Sequence, residues 1–289
     1  MEALRTSPRL KLVAVADPSE EARAYAEEQG VNGFGSVDEL IAAGGFESAV
    51  VASPTASHLA VVREFVRAGL PVLCEKPCGL TSEETRTAGQ IALEAGVALQ
   101  IGYWKRFVPS LVTLRERIAR GELGEISVVS CFQWDERPPA ATFRVRSGGP
   151  LVDMAVHELD LMRWLTGQEI GSAAGFASPV AFDPPVEADP ESVALVVRLT
   201  GGALGMVSVG RRFTIGDAHR VEVIGTHGTE EARFVWPPNE VETFRAALVA
   251  QADSFADAVE GAPVVGASAN DAAAALEAAE RAATELRNA

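Results

Sequence analysis

The sequence predicts an α/β protein in two parts, a doubly wound parallel sheet followed by an α+β half on a mostly antiparallel sheet. Three observations predict it. Up to about residue 104, short apolar stretches alternate with helical stretches of ten residues or so, the pattern of βαβ units. The first of these stretches, 10–16 (LKLVAVA), is apolar apart from Lys11, as strands covered on both faces are. Beyond residue 104 the strand candidates cluster, and Gly201-Gly202 joins two of them as a hairpin.

In order, the strand over 10–16 ends at Asp17-Pro18, and Ser19 caps a helix over 20–29 that Gly30 stops. Ser36-Val37-Asp38-Glu39 has the form of a capping box and opens a short helix to Ala43. A strand over 48–52 is broken by Ser53-Pro54-Thr55, and 56–68 is helical. Val72-Leu73-Cys74 follows the turn at Gly69-Leu70-Pro71 and stops at Glu75-Lys76-Pro77. Pro77 has no N–H and holds Lys76 extended. Thr81-Ser82-Glu83-Glu84 is a second capping box, for a helix to Ala95, and 97–101 is a further strand. This first part, 1–104, is the expected Rossmann-like domain. In the second, 105–289, a helix over 110–120 and a turn at 121–124 lead into a strand over 126–134. A loop over 135–149 holds Pro138-Pro139 and Gly148-Gly149, and a helix over 152–165 is stopped by Gly167. Strands are expected over 192–199, 203–212 and 219–224, with a short one over 231–235, and helices over 240–259 and 270–286.

Composition narrows the function. A formal net charge of −15 argues against nucleic acid and anionic membranes, which need a positive field. The longest apolar runs are too short to span a bilayer, and no basic segment followed by an apolar one opens the chain. Three cysteines, Cys74, Cys78 and Cys131, suggest neither a disulfide framework nor a zinc site. Reduced thiols in a cytoplasmic protein are expected. His58, His157, His219 and His227 form no local metal motif.

Three stretches could carry chemistry. In an open α/β sheet, ligands bind beyond the carboxyl ends of the strands. Lys76 stands at such an end, where an ammonium can polarise a substrate oxygen; the competing reading is a surface charge closing a strand. Asp17 closes the first strand, where a carboxylate accepts from adenosine ribose hydroxyls and repels a 2′-phosphate, favouring NAD over NADP. A turn aspartate before proline is its competing reading. On a continuous helix Asp153, His157 and Asp160 would share one stripe, with the carboxylate one turn from the imidazole orienting it as a proton acceptor. The alternative is a stripe that merely faces solvent. His58 belongs to the first turn of a helix at a strand's carboxyl end, a natural cofactor surface.

Ser-Pro-Thr-x-x-His at 53–58, Glu-Lys-Pro at 75–77 and Asp-x-x-x-His-x-x-Asp at 153–160 together resemble the glucose–fructose oxidoreductase/inositol dehydrogenase/MocA family of NAD(P)-dependent oxidoreductases. The likeness runs from about Leu10 to the end of the chain and looks most like the inositol 2-dehydrogenase branch. It implies that Lys76 contacts nicotinamide ribose and substrate hydroxyl, that His157 is the general base at the substrate, and that Asp153 orients His157 and hydrogen-bonds the substrate. It implies that Arg106 and Asp160 hold neighbouring hydroxyls and that Ser53, Thr55, His58 and Glu75 line the cofactor. The implied activity is hydride transfer from a secondary hydroxyl of a cyclic polyol or sugar to NAD. A homo-oligomer, dimer or tetramer, joined through the antiparallel sheet, is implied as well. Two rival readings are a sugar-binding or regulatory member without turnover and a glycosidase using NAD transiently. The chain departs from the family in lacking a Gly-x-Gly-x-x-Gly turn after a first strand. Gly30-x-x-Gly33-x-Gly35 has the wrong order. Met1 to Leu4 looks like the end of the helix that follows that turn. About twenty residues are therefore expected to be absent by the geometry of a βαβ unit, either through a start assigned at an internal methionine or through true shortening. The sheet would then lack its central strand and the pyrophosphate its backbone donors.

Overall fold

A computed structural model describes residues 2–178 and 189–288. Its elements are α1 (Glu2–Thr6), β1 (Ala14–Ala16), α2 (Glu20–Glu28), β2 (Asn32–Phe34), α3 (Val37–Ala43), β3 (Ala49–Val51), α4 (Thr55–Arg67), β4 (Val72–Cys74), α5 (Ser82–Ala95) and β5 (Leu99–Ile101). A 3₁₀ turn (Trp104–Phe107) leads to α6 (Pro109–Ala119), β6 (Ile126–Trp134) and α7 (Ala141–Arg144). A π-helical turn (Leu151–Ala155) then runs into α8 (Val156–Thr166), followed by β7 (Ile170–Ala177), β8 (Ser192–Leu199), β9 (Leu204–Gly210), β10 (Ala218–Gly225), β11 (Thr229–Val235), α9 (Glu240–Val259) and α10 (Ala269–Asn288).

The chain divides into two compact units, Met1–Gly102 with Leu248–Ala272, and Tyr103–Ala247 with Ala273–Ala289. A single cut after residue 104 leaves out the two later crossings, after Ala247 and after Ala272. The periodicity of a C-terminal helix shows that one face is buried but not against which sheet. Ala267 accepts a bond from the Ile101 N–H, and Asp253 and Asp257 accept from Ser7 and Arg9.

In the first unit the predicted caps form as read. Ser19, Ser36 and Thr81 each accept from the backbone N–H three residues on. The Glu39 and Glu84 carboxylates turn back to the N–H groups of Gly35 and Leu80. Helix α4 buries His58, Val62, Phe65 and Val66, spaced along one face, and each such apolar side chain contributes roughly 1.5–3 kcal/mol. All strand pairs are parallel, but they form two separate sheets. β1 pairs with β2, while β3, β4 and β5 pair in that order. Among the described residues nothing bonds β1 to β3. β1 is only half-buried, where a fully covered strand was predicted, whereas β4 and β5 are buried throughout. β2 was not predicted; Asn32-Gly33-Phe34 has little strand propensity, and pairing with β1 makes it a strand.

The second unit is built on a six-stranded sheet in the order β11-β10-β6-β9-β8-β7, antiparallel except between β6 and β9. β7 was also not foreseen. Its Gly-Ser-Ala-Ala-Gly run reads as weak strand, yet it pairs along β8 so closely that a Cβ on Gly175 would lie 2.1 Å from the Ala194 carbonyl oxygen. Helix α8 is buried nearly all round and ends at Gly167 in the left-handed conformation, φ 67°.

Candidate active site

The first unit gathers six of the expected site residues at the carboxyl ends of its parallel strands. Asp17 follows β1, and its Oδ1 accepts from the Ser19 N–H at 2.8 Å, so it closes the turn into α2 as well as ending the strand. Ser53 and Thr55 follow β3 at the start of α4, whose 13-residue helix has no side-chain cap on its first turn. The open N–H groups of that turn suit a polar or anionic ligand. The Ser53 and Ser57 hydroxyls are 2.7 Å apart.

His58 is buried, with Nδ1 2.8 Å from the Pro77 carbonyl and Nε2 2.6 Å from the Ser53 carbonyl. Its ring therefore lies between the end of β3 and the Lys76-Pro77 turn. The Lys76-Pro77 peptide is cis. Glu75 is packed against Gly102, where a Cβ would meet its carboxylate at 2.7 Å. Burial raises the Glu75 carboxyl above the ordinary range, opposed by the adjacent Lys76 charge. A hydrogen bond with Cys78 and then burial hold the Cys74 thiol well above its ordinary value, and burial does the same for Cys131. Neither thiol ionises near neutrality, which removes them as nucleophiles.

The second unit holds the remaining four. His157 is buried at the start of α8, edge-on to the rings of Tyr103 (centroids 5.6 Å apart) and Trp104 (6.3 Å). The next residue, Glu158, is fully buried and paired with Lys105, whose Nζ also donates to Gln133 Oε1 at 2.9 Å. Arg106 and Asp160 form a two-pronged pair, Nε to Oδ2 at 2.9 Å and Nη2 to Oδ1 at 2.6 Å, both side chains buried. The 3₁₀ turn is thus clamped to α8 at two successive residues. Sequence reasoning singled out Arg106 and Asp160 but missed the Lys105–Glu158 pair beside them. His219 packs on Trp104 and Phe234, and burial, then the Lys105 charge, holds it well below the usual histidine range. It stays neutral.

One expectation needs correction. The helix predicted over 152–165 is not α-helical at its start. Gly148 and Gly149, at φ 77° and 76°, lead into the π turn, where the Val156 N–H reaches the Leu151 carbonyl five residues back. The α-helical i, i+4 stripe therefore does not describe Asp153 and His157, because a π turn rotates each residue less. Asp153 Oδ2 accepts from Arg211 Nη1 at 2.7 Å. Arg211, at the end of β9, is buried and also donates through Nε and Nη2 to Asp189 Oδ1 at 3.2 and 3.0 Å. Asp135 lies 3.6 Å from the same guanidinium. No sequence signal marked Arg211, since it stands 58 residues from Asp153.

Burial raises the Asp135 carboxyl from 3.8 to about 6; Arg211 opposes this and Asp153 and Asp217 add to it. The folded state therefore holds this proton more tightly than the unfolded chain. Stability from this group is complete below about pH 4 and is lost as pH rises through about 6. Asp135→Asn is expected to raise stability at pH 8 by about 1–3 kcal/mol and to change it little at about pH 4, checked by urea melts at the two pH values.

Comparison with known proteins agrees with this layout. Residues 1–103 match the model of an oxidoreductase family with an NAD-binding Rossmann fold, and residues 111–231 match the GFO/IDH/MocA C-terminal domain. The chain is 46% identical over 286 residues to the rhizopine catabolism protein MocA of Rhizobium meliloti, covering 99% of this chain and 90% of that protein. It is 30% identical over 295 residues to an inositol 2-dehydrogenase of Rhizobium meliloti, covering 94% and 88%. A crystal structure of a putative myo-inositol dehydrogenase from Sinorhizobium meliloti superposes with a TM-score of 0.92 at 28% identity, covering 99% of this chain and 93% of that one. Among the described residues no helix is long and apolar enough to cross a membrane, and no group of His, Cys, Asp and Glu could hold a metal ion. The strand-end residues of the first unit, the clamped helix of the second and these matches over both halves give one conclusion: the chain belongs to the GFO/IDH/MocA family of oxidoreductases, with an NAD-binding Rossmann fold.

Proposed function

We propose that this chain oxidises a secondary hydroxyl of an inositol-like cyclic polyol or sugar. Lys76 holds the reacting oxygen by its ammonium and favours its negative charge as the proton leaves. The His157 imidazole takes that proton. Asp153 accepts from a substrate hydroxyl, and Arg106 and Asp160 shape the wall beside it. Asp17, Ser53, Thr55 and Glu75 hold the cofactor, with His58 securing the backbone at both ends of that surface. The nicotinamide, when bound, supplies the hydride acceptor. The observation that supports the reading is the place of Lys76 just beyond β4, at the end of a parallel sheet where such folds bind their ligands, with the Pro77 carbonyl 2.8 Å from the buried His58 ring. Relatives named inositol 2-dehydrogenase supply the substrate class.

The test is NADH absorbance with purified protein, NAD and a panel of inositols and aldoses. Turnover of at least one inositol is expected. Measured NAD binding with no NADH from any of them would overturn the reading. A second reading, a sugar-binding member without turnover, is favoured by the break between β1 and β3. Calorimetry showing sugar binding without NAD would support it. The outer face of the six-stranded sheet exposes Phe176, Val196 and Met206. Self-association through that face, in a cytoplasmic protein with reduced thiols, completes the proposal.

A further inference from the structure

The strongest unexplained feature of the second unit is a buried guanidinium between carboxylates. Arg211 is 1% exposed and Asp189 is 0% exposed, while Asp153 is 17% exposed. The three sit in line. Asp189 takes the inner edge of the guanidinium through two donors, and Asp153 takes Nη1 at 2.7 Å on the outer edge. Arg144, also buried, stands 3.6 Å from the second oxygen of Asp189. Taking such charges out of water is costly unless the geometry is good, so a purely structural role would be served as well by apolar residues. The arrangement does one thing that apolar residues cannot. It ties a partly exposed carboxylate on a π turn to a buried guanidinium just past β9, which Asp189 holds from the other side.

We propose that Arg211 is a positioning residue for the oxidoreductase reaction, held by Asp189 and fixing the Asp153 carboxylate as an acceptor toward substrate. Asp189 is thereby the anchor and the π turn the adjustable part. A lysine at 211 cannot serve both carboxylates, because it offers a point charge where the fork offers separate donors. The inference rests on the reading of Asp153 as a substrate contact.

The test is steady-state kinetics on Arg211→Lys, Asp153→Asn and the double variant, with an inositol that the wild type oxidises. Arg211→Lys is expected to lower kcat/KM by about 10- to 100-fold. The double variant is expected to be no slower than Asp153→Asn alone, since Arg211 acts only through Asp153. Unchanged kinetics in Arg211→Lys, or independent multiplication of the two losses, would overturn the inference. Should Arg211→Lys fail to fold, Arg211→Met with Asp189→Asn removes both inner charges together and gives the same comparison. If the wild type turns over no polyol, the functional reading fails. A crystal structure of the Arg211 variant then decides the positioning role: a displaced or split Asp153 carboxylate supports it, and an unmoved one refutes it.

Discussion

Lys76→Met is expected to lower kcat and kcat/KM for inositol oxidation together, by about 10³-fold. Oxidation of an alcohol builds negative charge on oxygen as the proton departs. A fixed cation at that oxygen stabilises this charge more than it stabilises the neutral hydroxyl, which is what makes it catalytic rather than merely adhesive. The fixing is visible in the fold. The His58 ring holds the Pro77 carbonyl and the Ser53 carbonyl, so the ammonium starts from a backbone with little freedom. Lys76 is half-buried, and methionine keeps most of its stem, so the circular dichroism spectrum should not change. Stopped-flow NADH formation reads the loss directly. A variant retaining a tenth of the wild-type rate would put the reacting oxygen elsewhere.

His157→Gln is expected to cost about 10²–10⁴-fold in kcat, the usual worth of a positioned base. Glutamine approximates the ring's reach and can still hydrogen-bond, but it cannot take up a proton near neutral pH. The ring's setting favours a clean reading, because Tyr103 and Trp104 bound it edge-on and the adjacent Lys105–Glu158 pair locks the helix against the 3₁₀ turn. Loss should appear in kcat with KM nearly unchanged. With Lys76→Met in the same chain the two losses should not multiply, because one transition state needs both groups. If His157→Gln keeps near-normal kcat, another group accepts the proton; His219 is a poor substitute, since burial keeps it neutral.

What could be read from the sequence was local. Ser19, Ser36 and Thr81 announced their helices because a cap acts on an N–H three residues away. The strand over 126–134 and the stop at Gly167 were equally plain. The three motifs at 53–58, 75–77 and 153–160 pointed to the family that the comparisons show and supplied candidate site residues. What escaped was decided by partners distant in the chain. β7 is a strand because β8 lies beside it, not because of its glycines and alanines. The π turn goes with an arginine just past β9, and helical periodicity alone could not foretell it. The division of the C-terminal helices between the two units was equally invisible, since burial patterns do not name the neighbour.

Among the described residues, β1 and β3 each pair with a neighbouring strand on one side only. A strand edge of that kind is a template to which another extended backbone can add.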